Sequence, residues 1–216
     1  MSMTSVDQHP HEWRDIDFVG GALCLDFANT VNAWLGEECR GDYLKDFCDL
    51  VRWGVRSGAL DADLAPPLLA AAEERVGEAT AILEEARTMR GVLRRVFLAR
   101  ADGQMPDAGD IEALNNAVSW AMSHLELTAD NGGFGWAWHR DRQPPLDRVL
   151  WPVARSAADL LTSADPRRLK TCPADDCGWM FYDTSKAGRR RWCDMSTCGN
   201  RAKAHRHYRK KKAGDC

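Results

Sequence analysis

Four cysteines, Cys172, Cys177, Cys193 and Cys198, form two pairs that each enclose four residues, with fifteen residues between the pairs. Thiolates are soft ligands, and two short cysteine loops joined by a longer excursion supply the corners of a tetrahedral zinc site. The surrounding sequence is polar and basic, unlike the apolar pattern around thiols buried in an ordinary core. It is also too poor in apolar surface to fold unaided, whereas structural zinc contributes about 10–16 kcal/mol in comparable small modules. Four cysteine ligands fill the coordination sphere, so the expected cofactor is one structural Zn2+.

The elements that must position these thiols are legible around them. Pro173, Asp175 and Asp176 suit a tight turn between the first two ligands, and Gly178 suits a chain turning closely past a sulfur. Residues 179–182 are aromatic enough for a short strand, and a basic, helix-compatible run follows Cys198. Between residues 166 and 216 there are 14 Lys/Arg against 5 Asp/Glu, a net charge of +9; the whole chain carries −3, which leaves −12 on residues 1–165. A basic module on an acidic body is the electrostatic footprint of phosphate-backbone binding. The candidate contacts are Arg189, Arg190 and Arg191 in the loop between the cysteine pairs, and Arg201, Lys203, Arg206, Arg209 and Lys210 on the last helix. Asn200 and Arg201 stand where that helix begins and admit two readings. Arg pairs with guanine and Asn with adenine; alternatively Asn200 caps the helix and Arg201 braces a ligand sulfur or an acidic partner. For Asn200 the structural reading is preferred.

The order Cys-x4-Cys-Gly, Phe181 and Asp183, Arg190-Arg191-Trp192-Cys193, Cys198-Gly199-Asn200-Arg201 and Lys203-Ala204-His205 resembles the CGNR zinc finger over about 45 residues. The resemblance implies a bacterial DNA-binding transcription regulator whose metal ligands are the four cysteines above. Near the other end, Gly20-Gly21, Leu23-x-Leu25-Asp26-Phe27 and Asn29-Thr30 resemble, less specifically, the start of the ABATE domain that commonly precedes such fingers. Asp26 and Asn29 are unusual polar company in this apolar segment. They either line an effector pocket or hydrogen-bond neighbouring backbone to fix how the first helix meets the core; the second reading is preferred.

The fold class expected is mainly α: a helical body with a small β-hairpin, followed by a small zinc-binding α+β module of knuckle, hairpin and helix. The division is placed at 1–164 and 165–216, with residues 163–168 as a short linker and the finger docked on the body. Residues 1–14 read as a loose polar arm. Leu23, Phe27 and Val31 share a helical face. A second helix runs from a cap at Asp42 to Gly58, with Trp53 off its stripe, and Pro66-Pro67 opens a third. A long helix spans 78–100 with Arg87, Arg90, Arg94 and Arg95 on its outer faces, where surface ion pairing is the ordinary reading. Another helix follows Pro106-Asp107. The period then changes to a hairpin over 125–139, with Phe134, Trp136 and Trp138 on one face covering a helix layer. A last body helix opens at Pro144-Pro145 and is kinked by Pro152.

With 44% apolar residues and nine Trp the chain can bury a real core. It shows no signal-peptide pattern and no apolar run of membrane length, so a cytoplasmic protein with reduced thiols is expected. Cys24, Cys39, Cys48 and Cys216 lack ligand spacing. Sequence signatures of zinc deaminases, metalloproteases, serine hydrolases and P-loop enzymes are absent, and no enzyme is expected. The leading expectation is a transcription regulator binding double-stranded DNA, with a small-molecule effector at the body; a homodimer would suit a palindromic site. The alternative is a non-enzymatic, zinc-stabilised module that docks protein or RNA.

Overall fold

The computed structural model describes residues 17–36, 38–130, 132–140, 143–205 and 208. The expected N-terminal arm, and Arg206, Arg209, Lys210 and Cys216, lie outside the described residues.

The long amphipathic run condenses into α4 (Val76–Ala101), whose Leu83, Ala86, Leu93, Val96 and Phe97 are buried. Apolar residues three and four apart make one stripe, and a stripe this long needs several partners. Those partners are α1 (Leu23–Ala28), α2 (Phe47–Ser57), α3 (Ala65–Glu74) and α5 (Ala108–Met122); α6 (Leu150–Ser163) closes the layer against α1 and α5. Local chemistry sets the ends. Asp46 caps α2 by accepting a hydrogen bond from the Asp49 N–H at 2.8 Å, and Gly58 stops it in the left-handed region. Pro66 and Pro67 occupy the first turn of α3, where no intrahelical partner is lost. Phe27 meets Trp53 edge to face with centroids 5.0 Å apart, so the Trp that lies off the α2 stripe reaches another helix.

Several expectations are corrected. The first helix ends at Ala28; Val31 begins β1 (Val31–Leu35), which pairs antiparallel with β2 (Glu38–Asp42). Asp42 therefore ends a strand instead of capping α2. Arg90 and Arg94 on α4 are not surface residues but are 3% and 4% exposed. Arg90 forks onto both carboxylate oxygens of Asp42, one bond being 2.7 Å, and also donates to the Thr30 carbonyl at 3.2 Å. Arg87 and Arg95 do pair at the surface, with Glu84 and Asp110. Pro152 lies in the first turn of α6, continuous with a 3-10 turn over Leu146–Val149, so its missing N–H breaks no helix interior.

The second hairpin is where the sequence places it. β3 (Leu125–Asp130) pairs with β4 (Gly133–Trp138), and the register puts Leu125, Leu127, Ala129, Phe134, Trp136 and Trp138 on one face. The expected cover over a helix layer holds only at its inner end, where Trp138 lies against Trp151 at 6.0 Å. Beyond it the hairpin runs past the body, leaving Phe134 81% and Trp136 60% exposed. In the C-terminal module β5 (Leu169–Thr171) pairs with β6 (Met180–Tyr182), against α4 and α1. The architecture is thus mainly α with small antiparallel hairpins. Among the described residues no helix is long and apolar enough to cross a membrane.

The Arg90–Asp42 pair ties α4 to the first hairpin from inside. Arg90→Met keeps the volume and removes the fork, and is expected to lower the unfolding free energy by about 3 kcal/mol in a urea melt. A loss below about 1 kcal/mol would show that the pair contributes nothing net to the fold.

Candidate metal centre

The four cysteines of the finger come from three local structures. Cys172 follows β5, Cys177 closes a turn whose N–H donates to the Ala174 carbonyl at 3.1 Å, and Cys193 and Cys198 flank the start of the last helical segment. All four are buried, and their sulfurs lie within 4.8 Å of one another. Cys177 Sγ is 3.5 Å from Cys193 Sγ, which is 3.6 Å from Cys198 Sγ. A disulfide would need about 2.05 Å. A tetrahedron with Zn–S bonds near 2.3 Å has edges of about 3.8 Å, so the four thiols fit one zinc ion. Hydrogen bonds from Cys177 and Cys193 pull the Cys172 thiol down, and the same contacts push Cys177 and Cys193 up. Thiols this close hold protons between them until a cation replaces those protons.

The helix that carries Cys198 opens as a wide turn over Met195–Gly199 and continues over 200–205. Asp194 caps it, accepting from the N–H groups of Ser196 at 3.1 Å and Thr197 at 3.2 Å. Asn200 does not cap; its amide donates to the Ser196 carbonyl at 3.0 Å. Arg201 donates to Cys198 Sγ at 3.2 Å and to Asp176 at 2.6 Å, bracing a ligand sulfur against the first knuckle. Arg190 is likewise turned inward. It donates to the Val19, Trp192 and Cys193 carbonyls, and its guanidinium lies 4.4 Å from the Phe181 ring centre. Arg189, Arg191 and Lys203 are exposed.

Of the two polar residues named in the first helix, Asn29 joins finger and body, and Asp26 bonds within the body. Asn29 is 1% exposed, and its amide clasps one residue of β6, donating to the Met180 carbonyl at 2.8 Å and accepting from the Met180 N–H at 3.0 Å. Both ends of the side chain are engaged by backbone. Asp26 accepts from the Gly20 N–H at 2.7 Å. Burial pushes its carboxyl up to about 6, against the lowering effects of that hydrogen bond and of Arg190.

Other joints gave no signal in the sequence. The Trp34 N–H donates to the Cys177 carbonyl at 2.8 Å, and the Trp179 indole donates to the Val31 carbonyl at 2.8 Å. Arg94 donates to the Gly178 carbonyl at 2.8 Å and lies over the Trp34 ring. Gly178 has φ +64°, and a Cβ there would come within 2.4 Å of the Trp34 carbonyl oxygen. The close approach that requires glycine is therefore to the body's backbone. Asp183, fully buried, accepts from Lys170 at 2.7 Å and from the N–H groups of Ser185 at 3.0 Å and Arg190 at 2.7 Å. Burial alone would raise its carboxyl, but those donors outweigh it and hold the group well below the usual carboxylate range. Outside the finger, burial pushes the Cys24 thiol up to about 12 and raises Cys48, which makes both poor nucleophiles.

Two family models match the chain. One is ABATE, described as "Putative stress-induced transcription regulator", over residues 21–164; the other is the CGNR zinc finger over residues 168–211. The chain belongs to the ABATE family. No curated protein gives a significant match. In this ABATE protein the CGNR residues divide their work: Cys198 supplies a ligand, Arg201 braces its sulfur, and Asn200 ties the first turn.

Purified protein is expected to hold one zinc per chain, and Arg201→Ala, which keeps all ligands, to weaken its retention about tenfold against a chromophoric chelator. Unchanged retention would rule out the brace. For Asp26 the folded carboxyl at about 6 exceeds the ordinary value of 3.8. The folded state holds that proton more tightly, so the contribution to stability is full below the lower value and is lost as pH rises through the higher. Asp26→Asn keeps the acceptor without the charge. It should raise stability at pH 8 by at most about 3 kcal/mol and leave it unchanged near pH 3.5, read by paired denaturant melts.

Proposed function

We propose that the protein is a non-enzymatic transcription regulator that binds double-stranded DNA through its finger, with residues 165–216 as the contact module and 1–164 as the body that holds and regulates it. One observation carries the reading: a net +9 on residues 166–216 set on a body of −12, with Arg189, Arg191 and Lys203 exposed on the zinc-pinned module. Phosphates attract such a surface from a distance, while the acidic body keeps the rest of the molecule away from the same polyanion. A zinc with four cysteine ligands has no position for a substrate water, which supports a structural role for the ion. The contacts assigned to phosphate are Arg189, Arg191 and Lys203, with Arg206, Arg209 and Lys210 following in the sequence. Arg190, Asn200 and Arg201 are given to the finger's own architecture. The family description, a stress-induced regulator, is consistent with this reading.

The exposed face of Leu127, Phe134 and Trp136 favours a second reading, in which the protein docks a protein partner through the hairpin and the finger is a stabilising module.

Binding to a random duplex should weaken with a log–log salt slope of about −0.9 per phosphate contact. Arg189→Gln combined with Arg191→Gln should reduce that slope by about 2 while leaving the zinc content intact. Arg190→Gln should instead lower the melting temperature and loosen zinc. Mobility shifts with duplex DNA and single-stranded RNA, across a salt series, read the slopes, and thermal melts with zinc quantitation read the Arg190 variant. A salt-independent shift, or a preference for RNA, would remove the duplex reading.

A further inference from the structure

The finger and the body enclose a feature that the metal centre does not use. Between residues 18–21 and the loop 189–195 lies a cleft of about 730 Å³, a size ordinary for small-molecule sites. Its walls are Phe18 and Val19 from the body and Trp192 and Met195 from the finger, and Arg189 and Arg191 add its charge. Arg190 also lines it, but its Nε and Nη2 donors are engaged by the Trp192, Val19 and Cys193 carbonyls. Arg191 holds its guanidinium 5.1 Å from the Trp192 ring centre, and among the described residues Arg189 makes no hydrogen bond or ion pair. The acid at the rim, Asp194, is engaged by Ser196 and Thr197 as the helix cap. Among the described residues the cleft therefore offers two guanidinium groups without a carboxylate partner, above aromatic and thioether walls. A guanidinium fork matches a carboxylate, and the Trp192 indole and the Phe18 ring, over one side of which Arg56 sits at 5.3 Å, supply aromatic surface.

We propose that this cleft binds a small aromatic acid, a planar ring system bearing a carboxylate, held between the body and the finger. Bare phosphate would gain the charges but none of the walls. Because Arg189 and Arg191 are also the exposed cations assigned to DNA, an occupant would compete with a phosphate backbone. That consequence rests on the DNA reading; the binding itself does not.

Calorimetry on the zinc-loaded full chain without DNA tests it, with 2-naphthoate as probe and 2-naphthylmethanol and inorganic phosphate as controls. 2-Naphthoate should bind with a Kd on the order of 100 µM, and each control at least about tenfold more weakly. Arg189→Gln combined with Arg191→Gln should weaken 2-naphthoate about tenfold or more at unchanged zinc content, and Trp136→Ser, on the exposed hairpin, should not. No heat with 2-naphthoate up to about 10 mM, equal binding of phosphate or of the alcohol, or loss of binding in Trp136→Ser alone would overturn the proposal. The readout contains no nucleic acid, so failure of the duplex to bind leaves this result standing, and the converse holds.

Discussion

Four thiolates cannot share a volume 4.8 Å across without a cation among them. Either protons hold the sulfurs apart in neutral pairs or a divalent ion draws them together. Only the second fixes all four at once. That constraint sets the finger's shape, because the four ligands come from three local structures. The ion joins the strand pair at Cys172, the knuckle at Cys177 and the last helix at Cys193 and Cys198. Around it the chain adds two supports that do not depend on the metal. Asp183 gathers Lys170 and the Ser185 and Arg190 N–H groups into one buried acceptor, and Arg201 spans from Asp176 to a ligand sulfur. The first fixes the loop between the cysteine pairs, and the second fixes the helix.

The finger so built is not a tethered appendage. Asn29, Trp34 and Arg94 on the body bond to backbone at or beside Cys177, Gly178 and Met180, and Arg190 returns a bond to Val19. Each buried bond is worth about 1 kcal/mol net, and more if one partner is lost. Several of them across one seam, with the glycine contact at Trp34, make the pose of the last helix a property of the whole molecule. Any ligand that changes the separation of residues 18–21 from 189–195 acts directly on that pose, since Arg190 crosses the same gap.

Sequence spacing revealed the metal site because ligand chemistry is local: four soft side chains at short intervals admit few other uses. It also revealed α4, the helix starts at Pro66-Pro67 and Asp107, and the β3–β4 hairpin, each by a periodicity or a turn signal that a short window contains. It missed the first hairpin because Val31–Asp42 sits between two helical patterns and carries no strong turn signal. It misread Arg90 and Arg94 because charged residues on a helix look solvated unless their partners are known. Those partners, Asp42 and the Gly178 carbonyl, are 48 and 84 residues away along the chain. The aromatic hairpin was misread for the opposite reason: alternation shows that the residues share a face but not how far that face extends past the body.

The same lesson refines the electrostatics. A net +9 on the C-terminal segment counts every cation alike, yet the structure spends several of them internally. Arg168 donates to the Asp183 and Ser185 carbonyls, Lys170 to Asp183, Arg190 to three carbonyls, and Arg201 to Asp176 and Cys198. Their charge still contributes to the distant field, which decays only over a Debye length of about 8 Å in physiological salt. The donor atoms so engaged, however, cannot also bind a phosphate oxygen or a ligand carboxylate. Long-range attraction and short-range recognition thus fall to different arginines of one run: Arg190 is a structural cation, while Arg189 and Arg191, its immediate neighbours, carry the hydrogen-bonding capacity that faces outward.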